Sequence, residues 1–469
     1  MSKLKQNISY HLFYQILSML LPLITTPYIV RVIGVEGTGI YSYTYAIVQY
    51  FLLFIMLGIN NYGNRTIAKH KNDKAELSYY FWNLYIMQVI MFLVTLIIYI
   101  FYIYTFVEQY HFIMQIEILF LISACFDINW FFFGLEKFKL TVVRNTIIKI
   151  VSIIGIFLLV KNSNDLILYV ILMASANFIS NIVLWPYIFK NLSFSKIDWK
   201  LVNKNFKKNF VLFIPVLAIS IYNIMDKIMI GSIIGANEVS YYENAEKIIN
   251  IPLNLLTAVG TVMLPRISNL INKNNQKKIL SYIDSTMKLL LCIACPAVFG
   301  LIAIADDLVI IYLGSNFIPS INMIKLLSVI IIFKCWANII RTEYLIPNEM
   351  DHSYIVSVIL GAIFNLIFNL LLIPIFGGIG AVIGTIIAEF VVAITQTYFV
   401  RKKLEITKYL KYLFKNVISS LIMFFAIYSL NFLNLNHLSN LILKFTYGVL
   451  VYSILNISYI KSITNLKKS

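Results

Sequence analysis

The chain has 469 residues, 60% of them hydrophobic and only 13% charged, with a formal net charge of +17. A charged share about half the ~25% typical of soluble proteins, together with a mean hydropathy of +0.82, excludes an ordinary soluble domain. The excess of Lys and Arg lies in loops beside apolar runs. An anionic leaflet is the natural partner there, and no basic face with interleaved aromatics stands apart to bind nucleic acid.

About fourteen apolar runs follow one another, each near the ~20 residues that a membrane-spanning helix needs. They predict helices at 8–30, 40–60, 79–106, 112–134, 142–160, 165–189, 209–233, 240–263, 285–312, 318–340, 354–376, 378–400, 412–432 and 440–460. The first run is longer than the core of a secretory leader and has no small-residue cleavage site, so no cleavable signal is expected. About thirty of the 38 basic residues fall in every second connector. These connectors are the N-terminus (Lys3, Lys5), 61–78 (Arg65, Lys69, Lys71, Lys74), 135–145 (Lys137, Lys139, Arg144) and 190–208 with six Lys. Next come 265–284 (Arg266, Lys273, Lys277, Lys278), 341–353, 401–411 and a tail with Lys467 and Lys468. The alternate connectors are short and carry acids such as Glu108, Glu238, Glu243, Asp306 and Asp307. By the positive-inside rule both termini are cytoplasmic.

The 190–208 connector divides the first twelve helices into six and six. At an offset of about 200 residues, Ile33-Gly34 with Tyr41 corresponds to Ile234-Gly235 with Tyr242, and Arg65 corresponds to Arg266. An even number of helices per half makes the two repeats parallel. The expected fold is an all-α integral membrane protein of two six-helix lobes. They are an N-lobe at 1–189 and a C-lobe at 209–400, joined by a cytoplasmic linker at 190–208 and followed by two C-terminal helices within 401–469. Pro22, Pro27, Pro215, Pro252, Pro296 and Pro374 remove backbone bonds inside helices and permit bends or static kinks.

Ionisable groups in spanning helices face a cavity or a partner. They are Arg31, Asp127, Lys149, Asp226, Lys227, Glu246, Lys247, Lys325, Lys334 and Glu389. Asp127 with Lys149, or Asp226 with a neighbour, can equally be structural ion pairs, and Arg31, Lys247 and Lys444 have the reach to snorkel. Glu389 has no base near it in sequence and is the expected unpaired carboxylate, a candidate for ion coupling. Basic side chains match or exceed acidic ones in and beside the helices, which suits an anionic substrate such as a phosphate. Tyr41, Tyr43 and Tyr45 can anchor at the interface or stack on sugars. Cys125, Cys292, Cys295 and Cys335 all fall inside predicted helices, so the Cys292-x-x-Cys295 pair reads as buried packing rather than a redox site. No P-loop, metal-ligand spacing or ATPase-sized connector is present, so no enzyme activity and no cofactor or metal is expected.

Four stretches resemble one family. They are Pro27-Tyr28-Ile29-Val30-Arg31-Val32-Ile33-Gly34-Val35-Glu36-Gly37-Thr38-Gly39-Ile40-Tyr41, Gly58-Ile59-Asn60-Asn61-Tyr62-Gly63, Asp127 to Phe138 with its Asn129-Trp130-Phe131-Phe132-Phe133-Gly134 centre, and Asp226-Lys227-Ile228-Met229-Ile230-Gly231. Together and in this order they resemble the Wzx-type O-antigen and capsule repeat-unit flippases of the multidrug/oligosaccharidyl-lipid/polysaccharide exporter superfamily. The resemblance implies a bacterial inner-membrane protein that moves undecaprenyl-diphosphate-linked oligosaccharide to the outer leaflet by alternating access. It implies membrane lipids as partners, a polysaccharide polymerase and chain-length regulator downstream, and no nucleic acid. It carries over Arg31, Asp127, Asp226 and Lys227 as substrate-binding positions. Lys149 and Lys334 join them on physical grounds, and Glu389 is assigned to H+ or Na+ coupling. The competing readings are an ion-coupled drug exporter and a lipid II flippase of the same superfamily. A membrane polymerase or glycosyltransferase is disfavoured by the short outer connectors.

Overall fold

The structure, a computed structural model, describes residues 21–272, 275–433, 435–457 and 459, apart from the side chains of Pro215, Tyr222, Thr261, Val262, Pro265 and Asn272. Lys3, Lys5, positions 8–20 of the first expected helix, Lys273, Lys467, Lys468 and the ring of Pro215 lie outside the described residues.

Every regular element among the described residues is helical. In chain order the helices are α1 (Leu21–Val32), α2 (Gly34–Met56), α3 (Ile59–His70), α4 (Lys74–Phe106), α5 (His111–Cys125), α6 (Asn129–Gly134), α7 (Phe138–Leu159), α8 (Leu166–Ile182) and α9 (Trp185–Asn191). Then follow α10 (Trp199–Ile233), α11 (Ala236–Asn272), α12 (Gln276–Tyr312), α13 (Ser320–Leu327), α14 (Ile330–Ile340), α15 (Asp351–Phe376), α16 (Gly378–Val400), α17 (Ile406–Tyr428) and α18 (His437–Leu455). Eleven segments among the described residues are long and apolar enough to cross a membrane. They coincide with the expected spans two to six and nine to fourteen. The other three expected spans are α1, α10 and α11. The chain is an all-α, multi-pass membrane protein, the class in which each backbone group bonds within its own helix.

Several boundaries differ from the sequence reading. The expected linker at 190–208 is helical from Trp199, and in the connector at 265–284 residues 265–272 and 276–284 are helical. Local capping explains both. Asp198 Oδ1 accepts the backbone N–H groups of Lys200 and Leu201 at 2.9 and 3.3 Å, and Asn275 Oδ1 accepts that of Lys278 at 3.2 Å. Such caps satisfy the orphan donors of a first helical turn, so the helices run on past the membrane. Residues 192–198 are not slack either: Trp82 Nε1 donates to the Ser193 carbonyl at 3.0 Å, and Tyr79 donates to Asp198 Oδ2 at 2.7 Å.

The chain divides into two compact units, Met1–Ile228 and Met229–Ser469. In the first, Phe81, Trp130, Phe131, Phe132 and Trp185 form the centre of a buried aromatic core. Two of the family-like stretches meet in it. A Cβ on Gly63 would come 2.7 Å from the Trp130 ring, and one on Gly134 would come 2.6 Å from Ile67. These glycines let α3 and α6 touch. Gly58, with φ +83, turns α2 into α3, and Tyr62 of the same stretch donates to Asn205 Oδ1 at 3.1 Å, tying the start of α10 to this unit. In the second unit α15 and α16 form a close hairpin along Gly361, Gly380 and Gly384, the small-residue contact usual between membrane helices. The α1–α2 and α10–α11 breaks both fall at a glycine with positive φ, Gly34 at +80 and Gly235 at +129. That shared break is where the sequence repeat placed its Ile-Gly pair.

Candidate functional site

Inside the first unit a polar network crosses an otherwise apolar bundle. The span expected at 112–134 breaks between α5 and α6. Gln88 of α4 bonds the carbonyls freed there, those of Ala124 at 2.7 Å and Asp127 at 2.9 Å. Asp127 Oδ1 accepts the backbone and side-chain N–H groups of Asn129 at 2.9 and 2.7 Å. Asn129 Oδ1 accepts Arg144 Nη2 at 3.0 Å. Arg144, only 8% exposed, also donates through Nε and Nη2 to Asn145 Oδ1 at 3.1 and 2.6 Å. Ser180 donates to the same oxygen at 2.9 Å. One turn away, Asn181 donates to Ser123 Oγ at 3.0 Å, and Ser123 donates to Asn177 at 2.5 Å. Thus α6 and α7 bond the guanidinium directly, α8 braces Asn145 through Ser180, and Ser123 of α5 joins Asn177 and Asn181 of α8 in the adjoining part of the network. Amides and hydroxyls around a fixed fork of donors match the chemistry of sugar hydroxyls and phosphate oxygens.

The same unit buries Glu117 of α5 completely. The Thr44 hydroxyl of α2 donates to Glu117 Oε1 at 2.9 Å and shares its proton with the Ile40 and Tyr41 carbonyls of its own helix, at 3.0 and 3.4 Å. Glu117 Oε2 has no hydrogen-bond partner among the described residues. Nearby, Tyr41 stacks on Tyr45 at 5.5 Å and meets Tyr169 edge-on at 5.0 Å, while Tyr45 contacts Phe120 at 4.9 Å.

Two buried acids of the second unit, Glu389 and Asp307, meet lysines directly, while Glu343 is fully buried with neither carboxylate oxygen hydrogen-bonded among the described residues. Lys334 of α14 lies 3.2 Å from Glu389 Oε1 of α16, an ion pair without the angle of a directed hydrogen bond. Asp307 of α12 accepts Lys444 Nζ at 2.7 Å, His437 Nδ1 at 2.7 Å and Asn440 Nδ2 at 3.0 Å, all from α18. Beside this cluster runs an apolar groove of about 630 Å³, lined by Leu289, Ile293, Gly300, Met423, Phe445 and Val449 among others.

A model of the polysaccharide biosynthesis protein family matches residues 4–271. The chain belongs to the polysaccharide biosynthesis protein family. A MatE model also matches residues 212–371. The chain is similar to a protein of Escherichia coli (strain K12) named as an O-antigen transporter, at 25% identity over 85% of this chain and 97% of that one. It is also similar to a low-salt glycan biosynthesis flippase, Agl15, of Haloferax volcanii, at 24% identity over 51% of this chain and 50% of that one. Among solved structures, the inward closed conformation of the lipid II flippase MurJ shares its fold. That match has a TM-score of 0.79 at 20% identity and covers 98% of this chain and 99% of that one.

Within this family member the sequence-derived positions fare differently. Lys334 and Glu389 are brought together, so the expectation of an unpaired Glu389 is corrected: α14 and α16, distant in sequence, place a base beside it. Lys444 does not snorkel. It is 3% exposed, because it pairs with the buried Asp307 of α12. Asp127 acts first as a helix-break cap and reaches a base through Asn129, with Arg144 rather than Lys149 as that base. Arg31 is exposed at the end of α1, Lys149 and Lys227 are half-buried, and Asp226 is 2% exposed. None of these four is without an interaction partner. Cys292 and Cys295 are free and buried. Sequence reasoning missed Glu117 and counted Arg144 and Glu343 among connector charges. Glu117 had a signal, an acid inside an apolar run. For Arg144, only the packing of the helices around it shows that it is enclosed.

Proposed function

We propose that the protein is a flippase that carries an undecaprenyl-diphosphate-linked oligosaccharide from the cytoplasmic to the outer leaflet of a bacterial inner membrane, for O-antigen or capsule synthesis. The observation that carries this reading is a buried guanidinium bonded to Asn129 and Asn145 within a wider network of amides and hydroxyls, in a chain of a polysaccharide biosynthesis family. Polar sugars cannot cross hydrocarbon without replacement hydrogen bonds, and such a network supplies them. The named transporters and flippases among its relatives support a transport protein rather than an enzyme. Both termini are cytoplasmic on the positive-inside argument.

In this reading Arg31 and Lys227 hold the diphosphate, while Lys149 and Asp226 line the path with the Arg144 network. The lobes 1–189 and 209–400 alternate in access. The lipid tail stays in the bilayer or in an apolar groove of the kind beside α18. Glu117, fully buried and met by a single hydroxyl, is the better candidate for H+ coupling, and Glu389 couples only when Lys334 releases it. A polymerase and a chain-length regulator act on the product. A drug exporter is the alternative raised by the MatE match over residues 212–371. Within that stretch Asp307 is paired to Lys444, while Glu343 is fully buried with neither carboxylate oxygen hydrogen-bonded among the described residues. The flippase reading therefore rests on the polysaccharide family match and the named relatives.

The test is reconstitution in vesicles containing fluorescent undecaprenyl-diphosphate oligosaccharide, read by an impermeant quencher. Protein-dependent access of inner-leaflet label is expected, with loss in an Arg31→Ala/Lys227→Ala variant that still inserts. Undiminished transport by that variant would refute the diphosphate assignment. No transport of this lipid by wild-type protein, with transport of a cationic drug, would refute the flippase reading.

A further inference from the structure

At ~1.5 Å per residue a helix needs only ~20 residues to cross the hydrocarbon core. Helix α10 has 35, so roughly its first dozen residues project beyond the core. This projection is two-faced. Val202, Asn205, Asn209 and Phe213 recur at helical spacing and are buried against the unit. Trp199, Phe206 and Phe210 recur at i, i+7 and i+11 on the neighbouring stripe and are exposed, at 65%, 38% and 47%. Lys200, Lys204 and Lys207 form the next stripe and are all exposed. The segment leading in repeats the pairing: Phe194 is 79% exposed, and Lys196 follows it.

We propose that residues 194–210 form a collar that binds the anionic headgroups of the surrounding leaflet, independently of what the protein transports. Exposed aromatics flanking a lysine stripe beside a spanning segment have the composition of an interfacial anchor. The rings enter the headgroup boundary, and the ammonium groups meet lipid phosphates. The collar is held in place rather than loose. Phe194 stacks on Trp82 at 4.6 Å, Trp82 bonds Ser193, and Asp198 joins Tyr79 to the start of α10. Lys208 is not part of it, since its ammonium turns to the Tyr62 ring at 6.0 Å. The occupant is lipid rather than an acidic protein, because the aromatic stripe runs on along α10 toward its membrane-crossing part.

The experiment places the full chain in nanodiscs of phosphatidylcholine with phosphatidylglycerol, in which one lipid or the other carries a quenching nitroxide on its headgroup. Trp199 emission is isolated as the difference between wild type and Trp199→Phe. Nitroxide-labelled phosphatidylglycerol should quench Trp199 more than its mole fraction predicts. The headgroup preference should exceed about tenfold and fall with added salt. In a Lys196→Gln/Lys200→Gln/Lys204→Gln/Lys207→Gln variant the preference should vanish while quenching by either lipid persists. That persistence shows that the variant is folded and seated. Retention of phosphatidylglycerol counted by native mass spectrometry should drop in the same variant. Equal quenching by both lipids in wild type would overturn the headgroup assignment. Absence of any quenching of Trp199 would overturn the collar itself and leave the stripe to a soluble partner.

Discussion

Two acids in each compact unit are held in opposite ways. In Met1–Ile228, Glu117 meets only a hydroxyl, and Asp127 reaches Arg144 only through the neutral Asn129. In Met229–Ser469, Asp307 and Glu389 touch lysines directly, at 2.7 and 3.2 Å. A buried ion pair is locked, because removing either member strands the other in low dielectric. A charge held by amides and hydroxyls keeps partners that can turn toward a ligand or exchange a proton. The first arrangement suits recognition, and the second suits holding helices together.

The largest effect is expected where the locking is tightest. Both side chains of the Asp307–Lys444 pair are at most 5% exposed. Lys444→Met leaves Asp307 with His437 and Asn440 and should cost about 3–5 kcal/mol, read as a lower melting temperature in detergent. The paired change Asp307→Leu/Lys444→Met should recover most of that loss. If Lys444→Met melts with the wild type, the pair does not clamp α18 to α12.

Next is Arg144. Each hydrogen bond from a charged group contributes about 1.5–3 kcal/mol. Arg144→Ala should therefore weaken binding of the oligosaccharide lipid about 10- to 100-fold, with Arg144→Lys intermediate. Binding to purified protein by fluorescence anisotropy measures it. Unchanged affinity with a lowered melting temperature would reduce the network to a structural brace, like its counterpart in the other unit.

Glu117 and Glu389 sharpen the contrast through coupling. Glu117→Gln should abolish the response of reconstituted transport to a proton gradient while leaving basal exchange within a few-fold. Glu389→Gln should retain that response and lose thermal stability by freeing Lys334. The reverse pattern returns ion coupling to the second unit.

The smallest effect concerns an exposed acid held by neutral donors. The Tyr79 hydroxyl and the amides at the start of α10 hold the Asp198 carboxyl below its usual range. The stabilisation is therefore present above the unfolded value of ~3.9 and is lost as pH falls through the lower folded value. Hydrogen exchange at 199–203 should stay slow down to about pH 4 and quicken below it. In Asp198→Asn it should be faster at neutral pH, and exchange insensitive to both changes would remove the cap.

Much of the architecture was legible in one dimension. Apolar run length and the alternation of Lys and Arg depend only on local composition measured against a bilayer of known thickness, and they set the class and the order of spans. The Ile33-Gly34 and Ile234-Gly235 pairs likewise marked two equivalent breaks, because a positive φ is a local demand that glycine meets. The family-like stretches were legible as motifs but not as to purpose. Gly63 and Gly134 turn out to seat Trp130 and Ile67, so part of that signal is close packing.

Partnership was not legible. Lys334 and Glu389 are 55 residues apart in number, and Asp307 and Lys444 are farther still. Nothing local indicates which helices will touch. The extension of α10 and α12 into expected loops depended on caps at Asp198 and Asn275 that hydropathy does not register. The sequence by itself determined a membrane chain of about fourteen runs, because burial in lipid is decided residue by residue. Only the tertiary structure decided which buried charges are locked and which stay available, because that depends on distances between helices that the chain order leaves open.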